Sequence, residues 1–166
     1  MRFLNAKDMD NESNAAQSVS LREVSEDDLI TFFEFQLDPD ALCMAGFPSR
    51  DRDAHMAHWH RILADDSVVA ATILFDDRVA GDIVSWENDG ERGVGYWIGK
   101  SFWGKGIATA ALDQFLDDWN APPLRAHVAK QNVGSLRVLE KCGFTIVSES
   151  EIGGVDELVL LLAGQN

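Results

Sequence analysis

The stretch YWIGKSFWGKGIATAAL, residues 96–112, constrains the fold most, because its hydrophobic pattern changes from that of a strand to that of a helix. It predicts a strand that ends near Ile98, a glycine-rich turn, and a helix that begins at Gly106. Such a junction directs free backbone N–H groups and the positive end of the helix dipole at one point, which suits a diphosphate. Gly104 and Gly106 lack a Cβ atom, so an anion can approach the backbone closely, and Lys105 adds positive charge.

Two common phosphate-binding motifs do not fit this stretch. The residues GKS at 99–101 match the end of the P-loop pattern G-x-x-x-x-G-K-[ST], but its first glycine would fall at Val94. The dinucleotide-binding pattern G-x-G-x-x-G would begin at Gly104 and place its last glycine at Thr109. Nucleotide hydrolysis and dinucleotide binding are therefore disfavoured. The turn on its own is consistent with either a bound anion or no ligand.

Hydrophobic periodicity predicts the other elements of the chain. Alternating or β-branched runs predict strands, and apolar residues that recur every three to four positions predict helices. Residues 37–51 are rich in turn formers and are predicted to be an irregular connection. The predicted order is strand, two helices, three strands, helix, strand, helix and two strands. This order indicates an α/β (α+β) fold with a mixed, mostly antiparallel sheet.

Length and composition indicate one domain. The chain has 166 residues, 46% of them hydrophobic, which allows a single core. Residues 1–18 are expected to form a flexible N-terminal tail and residues 19–166 the domain. No apolar run approaches the ~20 residues of a membrane-spanning helix, and the start resembles neither a secretory signal nor a transit peptide. Cys43 and Cys142 lie far apart without metal-ligand spacing, so we expect no metal site and a cytoplasmic protein.

Charge is distributed unevenly along the chain. The net charge of −14 argues against nucleic acid or an anionic membrane as partner, since both need a basic surface. Residues 92–141 carry seven basic and four acidic side chains, a net charge of +3, so the remainder carries −17. This asymmetry is consistent with an anionic ligand on the basic segment and a cationic partner near the rest, or with a general solubilising bias.

A second strand-to-helix junction, QNVGSLRVLEKCGF at residues 131–144, completes a pattern that resembles the acetyl-CoA site of the GNAT N-acetyltransferase superfamily. The first family motif is [Q/R]-x-x-G-x-[G/A], which Gly106 and Ala108 match. The second is N-x-x-[A/S]-x-x-[L/V]-x-E-K-x-G-F, and residues 132–144 match every fixed position of it. The two segments together are most similar to the RimJ/RimL-like branch.

The resemblance implies a fold, a co-substrate and a reaction. Six or seven strands would form a sheet that splays between strands four and five, flanked by about four helices. Acetyl-CoA would bind in the splay, without a metal, and pass its acetyl group by direct attack to the primary amine of a small molecule or a protein N-terminus. A homodimer is a possible assembly. The residues expected to contact acetyl-CoA are Trp97, Ile98, Trp103, Gly104, Lys105, Gly106, Ile107, Ala108, Thr109, Asn132 and Ser135.

The sequence departs from the family pattern at positions that matter for catalysis. Trp103 stands where the first motif has Gln or Arg, which leaves acetyl-CoA binding to backbone amides. Leu139 stands where many members have the tyrosine that protonates the leaving thiolate, and the single tyrosine of the chain is Tyr96. Ser135, directly or through a water, is predicted to replace that acid. Glu87 is the first candidate for the general base.

Other residues remain candidates for the acceptor side. His127 on the fifth predicted strand is a second candidate base, and Trp86 is a candidate for lining the acceptor pocket. The other tryptophans, Trp119 among them, are mostly expected in the core. The connection at 37–52, with Phe47, is where this family shapes acceptor choice. The missing tyrosine leaves a second function open, a non-catalytic acyl-CoA-binding or sensing module.

Overall fold

Seven strands form one mixed sheet in the order β1-β2-β3-β4-β5-β7-β6. The computed structural model of the chain describes residues 18–46, 48–118 and 123–164. The strands are β1 (Val19–Arg22), β2 (Val69–Phe75), β3 (Arg78–Asn88), β4 (Glu91–Ile98), β5 (Leu124–Ala129), β6 (Thr145–Ile152) and β7 (Val155–Leu162). The described α-helices are α1 (Glu26–Gln36), α2 (Pro39–Ala45), α3 (Arg52–Leu63), α4 (Ile107–Asp117) and α5 (Val133–Lys141).

The sheet is antiparallel except where β4 meets β5. These two strands run parallel and pair only at Arg92 with Leu124 and at Gly93 with Arg125. Beyond these positions the strands separate, so main-chain groups of both border an open gap. The predicted splay and the mostly antiparallel topology are confirmed.

The two faces of the sheet carry different helices. α4 and α5 cover one side, here called the α4 face, where Ile83, Leu112 and Leu160 belong to the larger hydrophobic core. α1 and α3 cover the other side, the α1 face, where Phe32 and Trp59 form a smaller core. Each fully buried side chain of this kind contributes about 1.5–3 kcal/mol to folding. Because strand side chains alternate, β3 and β4 each contribute residues to both layers.

The connection predicted to be irregular contains a helix, α2. Asp38 caps it by accepting hydrogen bonds from two backbone N–H groups of the first turn, at 2.9 and 3.1 Å, and Pro39 is the first helical residue. Gly46 ends the helix with a left-handed φ of 71°. The prediction was wrong because it read Asp, Pro and Gly as turn formers rather than as helix caps. The described chain therefore has five helices rather than about four.

α2 bridges the open end of the gap. Lys100, just after β4, forms ion pairs with Asp38 and Asp40 of the α2 cap and first turn. Gln131, just after β5, donates a hydrogen bond to the carbonyl of Cys43 at 3.0 Å. α2 is thus bonded to residues that directly follow both strands, at the end of the gap where β4 and β5 are no longer paired.

Some predictions fall outside the described residues. These are residues 1–17 of the predicted tail, Phe47 and Trp119. Ser18, the last residue of the predicted tail, pairs with the turn between β2 and β3. None of the described helices has the length and apolar character needed to cross a lipid bilayer.

Candidate functional site

A cavity of about 410 Å³ opens where β4 and β5 separate. Its walls come from the end of β4, the glycine-rich turn, the starts of α4 and α5, and α2. The structure brings all the predicted co-substrate contacts to this cavity, while the contacts themselves stay predictions: Trp97, Ile98, Trp103, Gly104, Lys105, Gly106, Ile107, Ala108, Thr109, Asn132 and Ser135.

The turn before α4 presents backbone N–H groups to the cavity. Gly104 and Gly106 have φ of 74° and 73°, in the left-handed region that other residues rarely adopt. Gly106 begins α4 without a side-chain cap, and no acidic residue lies in the first turn. The first N–H groups of the helix, at residues 107–109, therefore keep their hydrogen-bonding capacity for a ligand. A Cβ atom at either glycine would project into open space.

Trp103 holds this turn against the end of β4. Its Nε1 donates a hydrogen bond to the carbonyl of Ile98 at 2.9 Å, and its ring is 39% exposed. The sequence showed Trp103 only as a departure from the family motif. In the structure the indole braces the loop, a role that no local sequence pattern indicated.

Positive side chains border the same cavity. Lys105 belongs to the turn, and Arg137 and Lys141 lie four positions apart on α5, which places them on one side of that helix. All three are exposed. They add a positive field to the dipole at the start of α4, so this region favours an anion with several phosphates.

Ser135 lies in the first turn of α5, beside the only described tyrosine. Asn132 caps the helix by accepting a hydrogen bond from Ser135 N at 3.2 Å. The Oη of Tyr96 lies 3.2 Å from Ser135 Oγ and 3.4 Å from the Ser135 carbonyl oxygen. Burial raises the pKa of Tyr96 to about 12, so the phenol is protonated at neutral pH. Leu139 is buried in the core, so its position supplies no acid.

On the α1 face, an indole ring covers the backbone of β4 beside the gap. A Cβ atom at Gly93 would lie 2.7 Å from ring carbons of Trp86, and one at Gly95 would lie 3.5 Å away. The absence of side chains at both positions lets the ring of Trp86 pack on bare backbone. Trp86 is nevertheless 40% exposed, so part of the ring is accessible to a ligand.

His127 of β5 lies level with Gly95, two positions beyond the last paired residues Gly93 and Arg125. Alternation places His127 and Gly95 on the same face as those residues. The Nδ1 of His127 is 3.4 Å from Oε2 of Glu157, a buried side chain of β7, and the imidazole is 44% exposed. A carboxylate beside Nδ1 favours the tautomer that carries its hydrogen on Nδ1, which leaves Nε2 as an acceptor.

The structure places Glu87 away from this group. Glu87 is exposed and pairs in register with Arg92, at the end of the sheet where β4 and β5 are still paired. Because adjacent residues of a strand face opposite sides, Glu87 faces the α4 side and Trp86 the α1 side. Glu87 does not line the cavity, and neither do His127 and Trp86 on the α1 face. Its role as a base stays a prediction without support from its position.

Two further polar groups lie side by side on the α1 face. Asp82 of β3 is the register partner of Trp97 on β4. Burial raises the pKa of Asp82 to about 7, and Trp97 Nε1 has no hydrogen-bond partner among the described residues. Sequence reasoning missed Asp82, because an aspartate in an alternating strand is usually a solvent-facing residue. No group of three metal-ligating side chains occurs in the described part of the chain.

Comparison with known proteins gives a family match over most of the chain. The family described as acetyltransferase (GNAT) domain matches residues 18–145. The putative ribosomal N-acetyltransferase YdaF of Bacillus subtilis (strain 168) is 38% identical over 69 residues, which cover 39% of this chain and 37% of that protein. The matched segment thus spans little more than a third of this relative.

Solved structures share the fold at lower identity. A spermidine N-acetyltransferase from Vibrio cholerae, in complex with CoA and spermine, superposes with a TM-score of 0.76 at 17% identity, over 87% of this chain and 95% of its own. RimL, a ribosomal L7/L12 alpha-N-protein acetyltransferase in complex with coenzyme A, gives a TM-score of 0.76 at 15% identity, over 91% and 97%. At these identities the likeness establishes the fold.

Proposed function

Since the chain belongs to the GNAT acetyltransferase family, we propose that it transfers the acetyl group of acetyl-CoA to a primary amine. The observation that carries the proposal is the cavity where β4 and β5 separate. One wall offers uncapped N–H groups of α4 for the phosphates, and another offers the Ser135 hydroxyl for the leaving sulfur. The matches to ribosomal N-acetyltransferases support a place in the RimJ/RimL-like branch.

Acetyl-CoA binding would depend mainly on the main chain. The N–H groups at residues 107–109 suit the diphosphate, with Gly104 and Gly106 leaving room for it. Lys105 and the two basic residues of α5 would balance the phosphate charge. The amide groups of the pantetheine arm can pair with main-chain groups near Trp97 and Ile98, in the manner of an added strand.

The reaction requires a neutral amine, a polarised carbonyl and a stabilised leaving group. The amine nitrogen forms a C–N bond with the thioester carbonyl carbon, the C–S bond breaks, and the sulfur leaves as a thiolate that takes up a proton. Main-chain N–H groups of β4 that point into the gap are suited to polarise the carbonyl. Ser135 keeps its predicted role as the donor to the sulfur.

We assign the proton acceptor to His127 rather than to Glu87. A protonated alkylamine has a pKa near ~10, so the attacking nitrogen must lose a proton before or during attack. His127 borders the gap on the face opposite α4 and α5, and Glu157 supports the tautomer whose Nε2 accepts a proton. Glu157 would then stabilise the imidazolium that forms.

We infer that the acceptor is a cationic amine. Outside residues 92–141 the chain carries a net charge of −17, and the accessible indole of Trp86 can bind a cation over its face. The fold neighbours include an enzyme for spermidine and one for a protein α-amino group. A polyamine-like small molecule fits the charge best, and a basic peptide N-terminus is the second class.

A non-catalytic acyl-CoA-binding module is the second candidate function. The observation that favours it is the buried Leu139 at the position where the resemblance calls for an acidic tyrosine. Such a module would bind acetyl-CoA in the same cavity and release no thiol.

A thioester-release screen separates these functions. The full chain is mixed with acetyl-CoA and a panel of polyamines, aminoglycosides, basic peptides with free N-termini and neutral amines, and free CoA thiol is measured. We expect release with cationic amines above the rate without acceptor. Tight CoA binding without release for any acceptor would support the binding module, and absence of binding would refute both. Size-exclusion chromatography of the same sample tests the homodimer that we propose as its assembly.

A further inference from the structure

We propose that Tyr96 is a positioning residue that orients the Ser135 hydroxyl toward the leaving sulfur. The inference rests on the proposed acetyl transfer and adds a residue to it. Tyr96 projects from β4 on the α4 face, and Ser135 lies on α5, so the contact joins two elements that both line the cavity. The two residues are distant in sequence, and no motif joins them.

The hydrogen-bonding capacity of the two groups explains the effect. A serine hydroxyl has one hydrogen to donate and two lone pairs to accept with. The Tyr96 phenol has one hydrogen and lies 3.2 Å from Ser135 Oγ and 3.4 Å from the Ser135 carbonyl oxygen. We assign that hydrogen to Oγ, the nearer acceptor, where it occupies one of the lone pairs. The hydrogen of Ser135 then points elsewhere, and Ser135 is one of the residues that line the cavity. A serine free to rotate would spend much of its time donating to other acceptors.

The surroundings hold this pair in place. Asn132 fixes the first turn of α5 through Ser135 N at 3.2 Å. Tyr96 packs against the larger hydrophobic core, so its ring cannot swing away without opening that core. Burial also keeps the phenol protonated, with its pKa raised to about 12, so it remains a donor at neutral pH. The resemblance places a phenol on α5, at position 139. In this chain Tyr96 supplies a phenol from β4 instead.

The test is a double-mutant cycle in the full chain with Tyr96→Phe, Ser135→Ala and the double variant. For Tyr96→Phe we expect kcat to fall about 10-fold, less than the ~10²–10³ that removal of a direct donor costs. The dissociation constant for CoA, measured by calorimetry, should stay unchanged. In the Ser135→Ala background, Tyr96→Phe should have no further effect, because the group it orients is absent. Thr145→Val, which removes a hydroxyl on β6 away from the cavity, is the matched control and should leave kcat unchanged.

Each outcome decides one point. If Tyr96→Phe lowered kcat by the same factor in the wild type and in Ser135→Ala, Tyr96 would act on the substrate directly or only stabilise the fold. That result would overturn the proposal. A normal kcat for Tyr96→Phe would overturn it as well. A wild-type protein that binds CoA but turns over no amine would instead refute the proposed function, and with it the reaction that Tyr96 is inferred to serve.

Discussion

The two sides of the gap between β4 and β5 are built in different ways. On the α4 face, most of the cavity comes from two continuous segments, residues 96–109 and 132–141, with backbone N–H groups on its surface. On the α1 face, Trp86, His127 and Glu157 come from three different strands and present side chains rather than main-chain groups. Main-chain groups suit a ligand that does not change. Separate side chains can adapt to a particular acceptor without disturbing the fold.

Replacing Gly106 by valine tests the main-chain side and should have the largest effect. A β-branched residue resists the φ of 73°, which costs about 1–2 kcal/mol or more, and its side chain would occupy the space left for the phosphates. We expect acetyl-CoA binding to be lost in calorimetry while the circular dichroism spectrum is retained.

Gly90 provides the control for this substitution. It has a φ of 78° and equally open surroundings, but it lies in the β3–β4 turn and does not line the cavity. Gly90→Val should lower stability by a similar amount and preserve binding. Equal loss of binding in both variants would mean that general destabilisation, rather than a change in the glycine-rich turn before α4, explains the result.

Asp82 is a buried carboxyl on the α1 face, and its effect is tested through the pH dependence of the free energy of unfolding. Burial raises its pKa from 3.8 to about 7, so the folded state keeps a proton that the unfolded state loses. Stability of the wild type should therefore fall as the pH rises from about 4 to about 7. The full shift corresponds to about 4 kcal/mol at ~1.4 kcal/mol per unit. Asp82→Asn should remove this dependence and be the more stable protein at pH 8 in urea unfolding.

Asp28, a second buried carboxylate on the same face, should behave in the opposite way. Desolvation opposes its charge, but hydrogen bonds from Arg22, Ser25 N and Thr72 together hold its pKa well below the ordinary value. Asp28→Asn should therefore destabilise the protein most at neutral pH and least in strong acid. If the stability of both variants changed with pH in the same direction, the distinction between a carboxylate held by hydrogen bonds and one whose charge burial disfavours would be contradicted.

His127→Gln tests the assignment of the base. We expect kcat to fall by about 10²-fold, the lower end of what proton transfer contributes, with CoA affinity unchanged. Glu87→Gln should leave kcat near the wild-type value, because Glu87 faces the other side of the sheet. The reverse pattern would restore Glu87 as the base and would remove His127 from the site.

The difference between the two sides also explains how far sequence reasoning reached. The cavity was predictable because each junction is contiguous: the strand, turn and helix around Gly106, and the cap and first turn at Asn132 and Ser135, can be read without knowing the fold. The α1 face depends on strand register. His127 and Trp86 could be named as candidates, but the contact of His127 with Glu157 needs the pairing of β5 with β7.

One prediction was wrong because the local chemistry has more than one reading, and another could not be decided from sequence. The Asp, Pro and Gly residues around α2 suit either a turn or a helix cap, and only packing across the gap decides between them. The role of Glu87 as a base stays a prediction. Adjacent residues of a strand face opposite sides, so Glu87 and Trp86 lie on different faces of the sheet, and sequence alone could not assign those faces.

Trp86→Leu should give the smallest effect, and it isolates the acceptor. A cation over an indole contributes about 0.5–1 kcal/mol at an exposed site and about 2 kcal/mol when desolvated, so KM for a cationic amine should rise roughly 2- to 30-fold. The KM for acetyl-CoA should not change, because the ring packs on the face opposite the cavity-forming helices α4 and α5. Trp86→Phe keeps an aromatic face, so its KM for the cationic amine should be lower than that of Trp86→Leu. Loss of packing over Gly93 and Gly95 alone would not explain this difference. If both variants raised KM for a neutral amine by as much as for a cationic one, Trp86 would be shaping the strand rather than binding charge, and the α1 face would have to recognise its acceptor through other side chains.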